Sequence, residues 1–339
     1  MKIIIDAMSG DNAPHEIIKG AYLAQKEYAV GIILVGDEAV IKQSAAKQNI
    51  PLDRIEIVHA SDVITMEDLP LAVKQRTDSS MRVAFNLLHE KKGDAFVGAG
   101  NTGAMHIGST LYIRRIPGVR RSAIASVLPL ERPLIFLDSG ANISVTEEFL
   151  LQFAVMGSIY MKNIYGIEKP RVGLLNNGAE EHKGTDLYVN AHKLLASSDM
   201  INFIGNVEAK EIPFGKCDVL VCDGFTGNIA LKALEGMGLF VMKKIKHTLT
   251  STVKTKIAAL LCKQKIYDLR RELDSSEHGG APFLGVNAPV IKAHGSSDAR
   301  AIMNAIRQAV AYCQTNIIDE LRTSFEAIDA TSNPQNKPE

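Results

Sequence analysis

Strand-like and helix-like segments alternate from the second residue of this chain to about Ile318, and that rhythm limits the fold more than any other feature. It predicts a mostly parallel sheet flanked by helices, because parallel neighbours need a crossover and a helix is the usual one. Lys2–Ala7 reads as the first strand, and Pro14 sits in the first turn of the helix after it. Gly31–Val35, Ile55–Val58, Ala95–Val97, Ala123–Leu128 and Leu134–Leu137 read as further strands. Val172–Leu175, Asn202–Ile204, Val219–Cys222 and Pro289–Ala293 complete the set. Ser79 and Ser80 cap a helix over Met81–Lys92, Glu147–Tyr165 is a long apolar helix, another runs from about Asn228 to His247, and Ala299–Ile318 closes the fold. We therefore expect one α/β catalytic domain over 1–328 with a soft two-lobe division, a projecting helical segment at about 248–273, and a disordered tail at 329–339.

Charge and cysteine content narrow the function classes. Lysine plus arginine equals aspartate plus glutamate, 38 each, so net charge gives no argument for nucleic acid. Cys217, Cys222, Cys262 and Cys313 have neither C-x-x-C nor metal-ligand spacing, which predicts reduced, mostly buried thiols and no metal site. Met1-Lys2 runs directly into the first strand, leaving no room for a signal peptide, and the apolar run Phe149–Met161 is too short to span a bilayer. A cytoplasmic chain is expected.

The loops after the strands share one chemistry. Asp6–Pro14 is DAMSGDNAP, Gly98–Gly108 is GAGNTGAMHIG, Asp138–Asn142 is DSGAN, Asp223–Asn228 is DGFTGN and Lys292–Asp298 is KAHGSSD. Each pairs glycine with small polar residues before a helix, as close backbone approach to a ligand requires. Val172–Leu195 adds a strand, the turn Asn176-Asn177-Gly178, a charged loop from Glu180 to Lys183, and a helix start at Gly184-Thr185-Asp186 with Thr185 as its cap. One lysine beside a helix N-terminus makes an anion seat. Gly178–Thr185 is nearly a Walker A loop, but its lysine and second glycine are in the wrong order. Gly98, Gly100 and Gly103 fit the dinucleotide fingerprint G-x-G-x-x-G, yet the next strand ends in Pro129-Leu130 and Glu131 arrives too late to hold a ribose.

Together DAMSGDNAP, GAGNTGA, LDSGAN, VGLLNNGAEEHKG, CDGFTGN and KAHGSSD resemble, in order, the signature loops of the bacterial phosphate acyltransferases of phospholipid synthesis, over Lys2 to about Ile318. The resemblance implies a cofactor-free cytoplasmic enzyme that moves a fatty acyl group from acyl carrier protein to inorganic phosphate. It also implies a homodimer whose fold is related to isopropylmalate dehydrogenase and phosphate acetyltransferase. Ser9 and Ser139 depart from the family's usual pattern, both conservatively in size.

This chemistry needs little from the protein. Phosphate is already anionic near neutral pH, and an ordinary thiol leaving group has a pKa near ~8.5. The site must hold phosphate against the carbonyl and stabilise the oxyanion. Lys183 is the expected charge and Asn228 the expected amide donor. Asn101, Thr102 and Gly103, with Gly184, Asp223, Gly227, His294, Gly295 and Ser296, are expected around the substrate, and Glu180 is expected to position Lys183. The basic knot Arg114, Arg115, Arg120 and Arg121 suits an acidic carrier protein, and equally a solvated loop or a dimer contact. In the projecting segment Val253, Ile257, Leu260 and Leu261 share a helical face ringed by Lys254, Lys256, Lys263 and Lys265, the pattern of peripheral membrane attachment or of a subunit contact. An NAD-dependent dehydrogenase of the isopropylmalate dehydrogenase-like class is the second reading, and a membrane-surface scaffold the third.

Overall fold

The computed structural model of the protein describes residues 1–130, 132–272 and 279–332. Twelve strands form two sheets. They are β1 (Lys2–Asp6), β2 (Gly31–Gly36), β3 (Ile55–His59), β4 (Ala95–Gly98), β5 (Ala123–Ile124), β6 (Ser126–Pro129), β7 (Pro133–Leu137), β8 (Arg171–Asn176), β9 (Asn202–Glu208), β10 (Val219–Val221), β11 (Ala281–Leu284) and β12 (Val290–Lys292). The helices are α1 (His15–Tyr28), α2 (Glu38–Lys47), α3 (Ala72–Gln75), α4 (Ser80–His89), α5 (Thr102–Gly108), α6 (Glu147–Tyr165), α7 (Asp186–Ala196), α8 (Gly224–Thr250), α9 (Val253–Glu272), α10 (Ala299–Cys313) and α11 (Ile317–Ser332).

The first sheet has the order β3-β2-β1-β4-β12-β11-β5, parallel except for β11, which is antiparallel to both β12 and β5. The second is β6-β7-β10-β8-β9, parallel except at β6. Both faces of the first sheet are covered, so β1 reads Ile-Ile-Ile rather than alternating with polar residues. Ile3 and Ile5 pack into the large core shared with the second sheet, while Ile4 packs on the opposite face with Met81, Phe85 and Phe96. In the second sheet Ile135 and Leu137 join that shared core, and Phe136 faces the other way. Helices α1 and α10 approach closely at Gly20, where a Cβ would sit 2.5 Å from the carbonyl oxygen of Ala299.

The expected strand Ala123–Leu128 is in fact two. β5 pairs with β11 in the first sheet and β6 with β7 in the second, and the chain crosses at Ala125. The cause lies in Ile124, whose N–H donates to Asp138 Oδ1 at 3.0 Å and whose carbonyl accepts the Ser139 N–H at 3.0 Å. The expected closing helix is likewise two, α10 and α11, because the turn after Cys313 lets Ile317, Leu321 and Phe325 enter the shared core. Helix α11 runs to Ser332, past the boundary expected at 329, and 333–339 lie outside the described residues, as do Glu131 and Leu273. The short strand β11 was not legible, since Ala281-Pro282-Phe283-Leu284 lacks the length and alternation of a strand. Burial of the thiols is mixed: Cys217 and Cys222 are buried, Cys313 is half-buried and Cys262 is exposed.

Candidate active site

The six polar loops leave the carboxyl ends of two sets of adjacent strands. DAMSGDNAP, GAGNTGA and KAHGSSD follow β1, β4 and β12, which are neighbours in the first sheet. LDSGAN, CDGFTGN and NNGAEEHKG follow β7, β10 and β8, neighbours in the second. Carboxyl ends of parallel strands are where such folds bind ligands.

Each set is cross-braced. Asp11 N–H donates to the Gly295 carbonyl at 2.8 Å, and the Asn12 amide donates to the carbonyls of Ser296 and Ser297 at 3.1 and 3.2 Å. Gly10, at φ +108°, fits where a Cβ would lie 3.0 Å from Ala99 Cβ and 3.1 Å from the Gly295 oxygen, so all three loops meet there. On the other side Gly224 N–H donates to the Asn142 carbonyl at 2.7 Å, and a Cβ on Gly227 would lie 2.0 Å from the Asp138 carbonyl oxygen.

Asp138 ties the second set to strand β5 of the first sheet. It is fully buried and accepts from the N–H groups of Ile124, Gly140, Ala141 and Asn142 and from the Asn142 amide. Burial pushes its carboxyl above the usual range, and the Asn142 amide and the backbone donors oppose that shift. Asp6 repeats the device in the first loop, with Ser9 Oγ donating to its Oδ2 at 2.5 Å. Ser9 and Ser139 both turn their hydroxyls into the protein, Ser139 onto the Ile124 carbonyl at 3.0 Å.

Lys183 is half-buried on the loop between β8 and α7. Its Cγ and the Glu180 Oε2 would lie 2.8 and 3.0 Å from a Cβ at Gly178, so both side chains fold over that glycine, but among the described residues they form no ion pair. The loop is held by Asn176, whose amide donates to the Lys183 carbonyl at 3.0 Å, and by Asn206, whose amide donates to the Glu180 carbonyl at 2.8 Å. Gly184, at φ +94°, tucks against Asn176 and Tyr188, where a Cβ would meet both at 2.8 Å. Thr185 occupies the capping position, yet its hydroxyl makes no capping bond. The free first-turn amides of α7 therefore stay available to an anion.

Asn228 is exposed in the second turn of α8, because the helix starts at Gly224, about one turn before the start expected at Asn228. Asp223 is the actual N-cap: its carboxylate accepts from Thr226 N–H at 2.8 Å and Thr226 Oγ1 at 2.7 Å. This frees Asn228 from the capping role that its residue type suggested. Tyr188 OH donates to Asp223 Oδ2 at 2.5 Å, tying the Lys183 side of the site to the Asn228 helix. Cys222 is buried, burial raises its thiol pKa well above normal, and its Sγ faces the Asp138 carbonyl at 3.6 Å. It is no nucleophile.

In the first set, Asn101 caps α5 by accepting from Ala104 N–H at 3.0 Å and donates to the Asp68 carbonyl at 2.9 Å. Its side chain is committed to holding the 65–68 segment, and the neighbouring Thr102, the first residue of α5, is half-buried. Gly103 makes room for Pro70, whose Cγ would lie 2.7 Å from a Cβ there, and Gly295 makes room for Met66. His294 Nδ1 accepts from Ser296 N–H at 3.2 Å and lies 2.9 Å from Ser296 Oγ, which puts the imidazole proton on Nε2. Burial, with Lys232 and Lys292 nearby, holds this histidine below its ordinary range. Sequence reasoning quoted Asp138, Asn142, Asn176 and Lys292 within the loop motifs without giving any of them a role of its own, and it passed over Asn206 and Tyr188, which lie outside those loops.

Arg114, Arg115, Arg120 and Arg121 are all exposed, with Arg115 reaching the Arg120 carbonyl and Arg121 lying 5.8 Å from the Phe149 ring centroid. Helices α8 and α9 pack on each other and project: Val253, Ile257, Leu260 and Leu261 are 59–82% exposed. No helix among the described residues is long and apolar enough to cross a membrane.

A family profile described as fatty acid synthesis protein matches residues 1–320. A curated phosphate acyltransferase of Acetivibrio thermocellus is 46% identical over 328 residues, 96% of each chain. Among solved structures, a phosphotransacetylase from Streptococcus pyogenes aligns at TM-score 0.66 and 16% identity, covering 92% of this chain and 94% of that one. A 4-hydroxythreonine-4-phosphate dehydrogenase from Klebsiella pneumoniae aligns at TM-score 0.54 and 14% identity, over 92% of this chain and 99% of that one. The expected fold kinship is thereby met on both its acyl-transfer and its dehydrogenase sides.

Proposed function

The chain belongs to the fatty acid synthesis protein family, and from that premise we propose that it carries a fatty acyl group from the thioester of acyl carrier protein to inorganic phosphate. It is an acyltransferase, and phosphate is the acceptor. The observation that carries the reading is the seating of Lys183 on the loop after β8 and of Asn228 in the second turn of α8 after the adjacent strand β10, the two elements joined through Tyr188 and Asp223.

A phosphate oxygen attacks the thioester carbonyl, the C–O bond forms, and collapse of the tetrahedral oxyanion breaks the C–S bond. The proton of monohydrogen phosphate ends on the departing thiol, so atoms and charge balance without a metal or a covalent enzyme intermediate. Lys183, with the open amides of α7, holds the phosphate; the Asn228 amide donates to the oxyanion as it develops. The neutral His294, with Ser296, lines the far wall. A dehydrogenase would need a ribose-holding carboxylate after the glycine loop, and none stands at the end of β5 or β6 among the described residues.

The exposed arginine knot supports docking of the acidic carrier protein, and the projecting α8–α9 pair supports both peripheral membrane attachment and pairing of two subunits. The decisive experiment incubates the protein with acyl-carrier thioester and phosphate and traps acyl-phosphate as the hydroxamate. Phosphate-dependent hydroxamate is expected; thiol release without it would sink the reading. Equal rates with an acyl thioester of a small thiol would remove the carrier protein from it.

A further inference from the structure

One buried cation is left over by this account. Lys292 ends β12, is 8% exposed, and among the described residues forms no ion pair with a carboxylate. Its Nζ makes one hydrogen bond, to the carbonyl oxygen of Ala293 at 2.5 Å. That carbonyl belongs to the next residue along the strand, so the ammonium is folded toward the carboxyl end of the sheet, where the loops are. Ala293 in turn donates its N–H to the Gly98 carbonyl at 2.8 Å, which places the group beside the start of the glycine loop. An ammonium carries three donors. A buried one left with a single neutral acceptor is costly unless something anionic completes its shell.

We propose that Lys292, at the end of β12 in the first sheet, is a second cationic contact for the phosphate acceptor besides Lys183 on the loop after β8 of the second. The inference rests on the acyl-transfer reading and deepens it. The charged groups around Lys292 are Asp11 on the first loop, Lys232 on α8 and the neutral His294 on its own loop. Asp11 favours the ammonium and Lys232 opposes it, and burial outweighs both, drawing the Lys292 pKa down to about 8. Phosphate binding supplies the missing counter-charge. It also gives binding a pH dependence opposite in sign to that of phosphate's own second ionisation, which only adds negative charge as pH rises. As pH rises through about 8 the ammonium is lost and phosphate affinity falls.

The test is phosphate affinity across that range, read both as KM and by direct titration calorimetry without acyl donor. Wild-type protein is expected to lose affinity about tenfold as Lys292 deprotonates. Lys292→Met should start at the weakened value and stay flat, with the KM for the acyl donor little changed. Lys292→Arg, charged throughout, should move the loss beyond the measured range. A wild-type profile with no loss through pH 8 overturns the proposal and needs no variant to fold. So does a Lys292→Met protein, shown folded by its melting curve, whose phosphate and donor KM values shift together, since that is the mark of a structural role. If wild-type protein makes no acyl-phosphate at all, it is the reaction that fails; if it turns over and ignores Lys292, only this inference does.

Discussion

Helix α8 belongs to two regions that obey different rules. Its first turns lie among the strand-end loops, with Gly224 and Gly227 buried against Asp138 and Asn142 and Leu231 in the cluster with Phe136 on the far face of the second sheet. Its far half, with α9, stands clear, and Leu239 and Phe240 are 75% and 54% exposed. At Gly224 and Gly227 neighbouring backbone stands so close that a single methyl group is excluded. In the hairpin apolar side chains such as Leu239, Leu260 and Leu261 remain largely exposed. Precision is concentrated where a reacting atom must be held, and adhesive surface where something else must be met.

The largest expected effect separates the two regions by chemistry. Lys183→Ala should cut turnover by roughly 10²–10³-fold or more with an unchanged melting curve, as removal of a positioned charge or oxyanion donor does. Normal turnover would take Lys183 out of the mechanism. Next comes a pair of glycines on the same helix. Gly227→Ala drives a Cβ into the Asp138 carbonyl and should cost about 2–3 kcal/mol in a urea melt. Gly236→Ala, where a Cβ meets nothing within 4 Å, should instead stabilise by about 0.5–1 kcal/mol. Equal signs at the two sites would erase the contrast.

Charge reversal at Arg114, Arg115, Arg120 and Arg121 should raise KM for the carrier-borne donor roughly tenfold and leave KM for phosphate alone. Parallel shifts in both would argue against docking there. The smallest effect on catalysis is expected from Ile257→Asp with Leu261→Asp. Co-sedimentation with anionic vesicles should fall while turnover of a soluble donor stays within about twofold. Unchanged vesicle binding would reject the membrane role and leave the face to a second subunit.

Much of this was legible in the residues, for identifiable reasons. Strands buried on both faces announce themselves as apolar runs, and Glu147–Tyr165 was bounded correctly by its apolar length and the following Gly166. The six loops were visible because glycine beside Asn, Asp, Ser or Thr has few other uses at that density. What stayed hidden was adjacency. Nothing in the order of the chain says that β12 inserts beside β4, or that β7, β10 and β8 stand side by side. The break at Ala125 was equally out of reach, because it is imposed by Asp138 from elsewhere in the chain. Asn228 was singled out correctly as lying near a helix start, but Asp223 took the cap because its carboxylate reaches Thr226.

The position of β12 has a further consequence for how the protein comes into being. This strand, residues 290–292, fills the interior of the first sheet between β4 and β11, although the rest of that sheet's parallel half is translated long before it. A nascent chain paused ahead of it carries a finished outer flank, an unzipped inner edge at β4 and no seat for the third loop. Such edges invite the wrong partners. A prematurely terminated product is thus no fragment with half the activity but a client for chaperones, and the enzyme is made all at once, by its last quarter.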